Sequence, residues 1–185
     1  MALVLVKEDG TGLANANAYA SAADGDAYHL GHYYASVWTG ATTGNKETAL
    51  VMATRLIDAS YQFNGFKKGS VQALQWPREG AIDPDRRDIR LSVLENKLGP
   101  YFESDKIPKL LSDATCEMAR ELLVSDRTSD PQGEGVKILN VVGSIALTFD
   151  KKDRLPVISH LAQTMLSKLG NLAAPSSSMA RLIRT

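Results

Sequence analysis

Apolar residues keep helical register in four stretches of this chain. Leu50, Ala53, Thr54, Ile57 and Tyr61 recur at i, i+3, i+4, i+7 and i+11. That spacing makes one stripe, opened by Lys46 and closed by Asn64-Gly65. Leu91, Leu94 and Leu98 share a side of a shorter helix that stops at Gly99-Pro100. Leu111, Ala114, Met118 and Leu122 come after Pro108, a residue suited to a first helical turn. Ile158, Leu161, Ala162, Met165 and Leu169 face one way on a last helix begun by Pro156 and ended by Gly170. A fifth helix, from about Ala22 to Tyr34, is predicted from its cap: Ser21 with Asp24 is a capping box, although Gly25 and Gly31 weaken the helix behind it.

Two segments read as β-structure. Residues 2–6 are a short apolar run, and 136–149 are rich in β-branched residues around Gly143-Ser144, two short strands or one kinked strand. The expected fold is therefore mainly α: a helical-bundle body over 1–170 with a small β element, and an extended C-terminal tail over 171–185. The tail is small and polar through Ser176-Ser177-Ser178 and ends in Met179-Ala180-Arg181-Leu182-Ile183-Arg184. A polar linker closed by an apolar-basic cluster reads as a docking peptide, with Met179, Arg181, Leu182, Ile183 and Arg184 as its contact residues.

Charge narrows the functional classes. Twenty-one basic residues offset twenty-one acidic ones, so the net charge is zero. Such a chain has no general attraction for a polyanion. The basic excess is local: after Asp153 only Arg154, Lys168, Arg181 and Arg184 carry charged side chains. No apolar run approaches the roughly 20 residues that span a bilayer. Residues 1–6 lack the basic flank of a signal peptide and fit a strand better. The lone Cys116 offers no disulfide framework and fits a small buried hydrophobe.

No constellation for catalysis or metal binding emerges, and neither an enzyme nor a cofactor is expected. His29 and His32 are three apart on a helix, a spacing that can place two ligands on one face, but surface or helix-end histidines explain them better. Asp83, Asp85 and Asp88 lack the glutamate that closes a calcium loop, since Leu94 stands there. Glu117 and Glu121 flank Arg120 on what reads as a solvated helix face. Tyr33, Tyr34, Trp38, Tyr61, Phe63, Phe66 and Trp76, near Lys67, Lys68 and Arg78, could stack on single-stranded bases, but with zero net charge core packing is the better reading.

Four blocks together carry a resemblance. They are Glu8-Asp9-Gly10-Thr11-Gly12 with Ala16-Asn17-Ala18-Tyr19-Ala20-Ser21; Trp38 with Ala49-Leu50, Ala53-Thr54, Ile57-Asp58, Tyr61 and Phe63; Gln72, Leu74 and Trp76-Pro77-Arg78; and Ile107-Pro108 leading to Ala114, Glu117 and Ala119. In combination they resemble a phage and prophage family labelled DnaT-like single-strand-binding and also described as head-to-tail connectors or adaptors. Residues 79–106 depart from the pattern. The connector description implies a virion structural protein at the neck between capsid and tail, assembled in the host cytoplasm. It further implies a ring of twelve copies, tails docked on the portal protein, a tail or nozzle protein on the other face, and genome DNA passing through the channel without specific binding. The other description implies a single-strand DNA-binding replication protein. The zero net charge and the tail favour the connector as the expectation.

Overall fold

The computed structural model describes residues 3–85, 101–129, 138–141, 145–148 and 155–173. Its first helix is set by the predicted cap. The Ser21 Oγ accepts the Asp24 N–H at 3.2 Å, and the Asp24 carboxylate accepts the Ser21 N–H at 2.7 Å. Helix α1 spans Ala22–His29, short of the expected Tyr34, and after a turn containing Gly31 the chain regains one helical turn, α2 (Ser36–Thr39). Helix α3 (Thr43–Ser60) starts before Lys46 because the Thr42 hydroxyl takes the Asn45 N–H. It ends before Asn64-Gly65, where Tyr61–Phe63 straighten into strand β1. Tyr61 continues the buried stripe from a strand.

Strands β2 (Phe66–Lys67) and β3 (Arg78–Glu79) pair antiparallel across a connector that contains a cis Trp76-Pro77 bond. Helix α4 (Lys109–Val124) comes after Pro108 as predicted. Strands β4 (Ile138–Val141) and β5 (Ile145–Thr148) pair antiparallel, so the two-strand reading of 136–149 holds. Helix α5 (His160–Leu166) is capped by the Ser159 side chain and begins four residues after Pro156. Strand β6 (Gly170–Leu172) then pairs antiparallel with β1. Gly170 is needed there, because a Cβ would lie 2.4 Å from the Gln62 carbonyl oxygen.

Over its described residues, 3–6, the predicted strand at 2–6 does not form. An isolated parallel bridge, Lys7 to Ala18, stands just after it. Asn17 supplies partners instead: its Oδ1 accepts the Val6 N–H at 2.8 Å and its Nδ2 donates to the Val4 carbonyl at 2.9 Å. The backbone N–H groups of Asn17 and Ala18 also donate to the Val6 carbonyl, so side chain and backbone together hold the segment.

Helix α4 is the axis of the body. Ala114, Thr115, Cys116, Glu117, Met118 and Ala119 are six consecutive buried residues. A surface helix buries one stripe, so burial all round means neighbours on every side. Those neighbours are α3, α5, α1 and α2. Trp38, Trp76, Tyr19, Leu50, Ile57, Leu111 and Leu166 complete the core. The architecture is mainly helical with small two-stranded sheets, as expected. Among the described residues no helix is long and apolar enough to cross a membrane. The predicted helix around Leu91–Leu98 and the tail residues Met179, Arg181, Leu182, Ile183 and Arg184 lie outside the described residues.

Candidate nucleic-acid interface

The seven aromatic residues that could form a stacking platform separate sharply. Trp38, Tyr61, Phe63 and Trp76 are core side chains. Tyr33, Tyr34 and Phe66 are 92%, 73% and 80% exposed. Core packing is therefore the right reading for four of the seven and the wrong one for three.

Phe66 stands on the β2–β3 hairpin beside Lys67, which is exposed, and Lys68, which is half-buried. The hairpin is locked at its base. Gly65 adopts φ +75°, and a Cβ there would lie 2.3 Å from the Glu79 carbonyl oxygen. The Arg78 guanidinium donates to the carbonyls of Asn64 at 2.8 Å, Gly65 at 2.6 Å and Gln75 at 3.2 Å. Arg78 is thus a brace for the backbone, and burial lowers its pKa from the ordinary value. The buried Gln72 closes the loop: its Oε1 accepts the Gly69 N–H, and its Nε2 donates to the carbonyls of Leu74 and Pro77. Lys68 donates to the Gly10 carbonyl at 3.3 Å, and Lys67 has no ion pair among the described residues. Residues 66–71 carry two lysines and no acid. Glu79 faces Phe66 across the hairpin, and Asp9 stands on the turn near Lys68.

Two polar clusters behind this surface were not legible as such. The buried Glu8 carboxylate accepts the N–H groups of Gly10, Gly12 and Leu13 at 3.0, 2.8 and 2.9 Å. It organises the Glu8-Asp9-Gly10-Thr11-Gly12 turn from inside. Gly10, at φ +100°, lets that turn press on 105–106, where a Cβ would fall 2.0 Å from the Asp105 carbonyl oxygen. In the second cluster the Tyr19 hydroxyl donates to Asp58 at 2.5 Å. The same hydroxyl accepts the N–H of Trp76, and Gln75 donates its N–H to both Tyr19 and Asp58. Burial pushes the Asp58 carboxyl above the usual range, against the hydrogen bonds it accepts, and pushes the Tyr19 phenol well up. The sequence signal was the recurrence of Tyr19, Asp58 and Trp76-Pro77-Arg78 in the resemblance.

The remaining candidates fall elsewhere. His29 is buried, not at the surface, with Nε2 3.2 Å from the Cys116 carbonyl oxygen. Glu117 is buried as well, correcting the solvated-face reading; it pairs with Arg120 at 2.5 Å, and Arg120 and Arg127 both pair with Glu121. Cys116 is the small buried residue expected, its thiol pushed up to about 12 by burial. Among the described residues no three His, Cys, Asp or Glu side chains converge as metal ligands.

The described residues thus form a mainly helical body that presents a braced aromatic-lysine hairpin. Over residues 1–185 the chain matches the model of the family described as "Putative DnaT-like ssDNA binding protein", and it belongs to that family. No curated protein and no solved structure matches it. The family description names single-strand binding, and it overturns the expectation of a virion structural protein acting as a head-to-tail connector. That expectation leaned on the tail and on a net charge averaged over the chain. The average does not show where charge is committed: Glu8 goes to backbone N–H groups, Asp58 to Tyr19, Glu117 to Arg120 and Arg78 to backbone carbonyls.

Proposed function

We propose that this protein binds single-stranded DNA through the β2–β3 hairpin, with the Phe66 ring stacking on a base and Lys67 and Lys68 meeting the phosphates. The carrying observation is the 80% exposed Phe66 ring beside two lysines, on a hairpin braced by Arg78 and Gln72. A large apolar ring held in water without a core partner costs nothing extra to bring onto a base. A fixed platform also loses little freedom on binding. Membership of a family described by single-strand binding supports the same reading. Zero net charge predicts modest affinity with a shallow salt dependence, since few cations contribute.

The test is fluorescence anisotropy of a labelled oligothymidylate titrated with the full chain at several salt concentrations. Binding should weaken as salt rises, and duplex of the same length should compete poorly. Absence of binding at low salt, or equal competition by duplex, removes the reading.

A further inference from the structure

We propose that the loop carrying Tyr33 and Tyr34 is a proton-sensitive element, pinned by neutral His29 and His32 and loosened when they take up protons. The inference is independent of DNA binding and rests on how the two rings spend their nitrogens. His32 Nδ1 accepts the Tyr34 N–H at 3.2 Å. A nitrogen that accepts carries the lone pair, so the proton of the neutral ring sits on Nε2. That Nε2 faces the Glu117 carboxylate at 3.9 Å. His29 Nε2 donates to the Cys116 carbonyl oxygen, which leaves the lone pair on Nδ1, and Nδ1 is buried without a partner.

Neither ring can gain a proton without loss. A protonated His32 has two donors and no acceptor, so the Tyr34 N–H loses its partner while the imidazolium is drawn toward Glu117. A protonated His29 carries a buried charge and a new Nδ1–H donor with no acceptor, in a site walled by the rings of Tyr28 and Trp38, with centroids 4.9 Å from its own in each case. Burial accordingly lowers the His29 pKa. The surrounding charged groups are already matched. From α1 and α3, Asp26 pairs with Lys46, which also lies over the Trp38 ring. From α4, Glu117 pairs with Arg120 and Asp113 with Lys109, while Tyr28 and Cys116 stay neutral, Tyr28 pushed up to about 12 by burial.

The loop has little else to hold it. Leu30, Tyr33 and Tyr34 are 90%, 92% and 73% exposed. Apart from the Tyr34 bond, the turn keeps the His32 N–H on the His29 carbonyl at 3.0 Å. Proton uptake by His32 therefore changes the presentation of two exposed tyrosine rings through the Tyr34 N–H.

The test is nuclear magnetic resonance of the nitrogen-15-labelled full chain from about pH 7.5 to about pH 5.5, the range in which imidazoles titrate. At the upper end the His32 ring should be the Nε2–H tautomer. On acidification the Tyr34 amide shift should track the His32 ring, and Tyr34 exchange protection should fall about tenfold, the loss of one hydrogen bond. His32→Asn keeps an oxygen that can accept the Tyr34 N–H but does not titrate, so it should abolish the response while the Ser21 and Asp24 amides hold their shifts. An Nδ1–H tautomer, an unresponsive Tyr34 amide, or a response that survives in H32N overturns the proposal. The first two need only the wild-type chain, so they decide even if the variant fails to fold.

Discussion

Tyr19 and Asp58 show how a residue can matter through what it stops from being unpaired. The Asp58 carboxyl is buried, and burial raises its pKa above the ordinary 3.8. An acid raised in the folded state stabilises most while protonated, and that contribution is lost as pH rises from 3.8 through the folded value. At neutral pH the ionised group depends on the donors around it, of which the Tyr19 hydroxyl is the shortest at 2.5 Å. Tyr19→Phe should therefore cost about 1–3 kcal/mol near neutrality. Urea unfolding should show a smaller loss at about pH 4, where more of the carboxyl is protonated. An equal loss at both would mean that packing, not the hydrogen bond, carries the effect. The sequence could show Tyr19 and Asp58 recurring in a pattern but not that they meet, since 39 positions separate them. Glu8 was likewise readable only as part of a turn cluster, because its role depends on a carboxylate folded back onto N–H groups.

At the scale of elements, what is local was legible and what is distant was not. The Ser21–Asp24 box, Pro108 before α4 and the α3 stripe depend on neighbours within four residues, and all three form. The β1–β6 pair was invisible, since Tyr61 and Leu172 are more than a hundred positions apart. The end of α1 was misjudged locally: the helix stops at His29, ahead of the turn that contains Gly31. Gly25 is the distant case: it looked like a weak helix residue, yet it sits in α1 with Trp38 packed on it, where a Cβ would lie 2.2 Å from the Trp38 ring. Two substitutions separate these influences. Ser21→Ala removes the cap and should cost about 0.5–2 kcal/mol. Gly25→Ala should improve local helix propensity by about 1 kcal/mol, yet destabilise by about 1–3 kcal/mol from overpacking. Thermal unfolding of both variants is the check. A stabilised Gly25→Ala protein would mean that Trp38 yields easily and that the α1–α2 contact is loose.

At the scale of the whole molecule, a neutral chain must bind a polyanion, if it does so, with few charges in the right place. Phe66 and Lys67 would then make separable contributions. Stacking is insensitive to salt, whereas each phosphate contact releases condensed cation. Lys67→Ala should weaken binding of oligothymidylate and reduce the slope of log affinity against log salt by about 0.7. Phe66→Ala should cost about 1–3 kcal/mol at every salt concentration and leave the slope unchanged. Both side chains point into solvent, so neither substitution should move the unfolding midpoint appreciably. Tyr33→Ala serves as the contrast, because the loop it occupies offers apolar surface and no exposed lysine. If Tyr33→Ala cost as much as Phe66→Ala, the strand would have to reach beyond the hairpin. If Lys67→Ala left the slope intact, the cations would lie outside the hairpin, and the basic residues of the C-terminal segment, Arg181 and Arg184, would be the next to substitute.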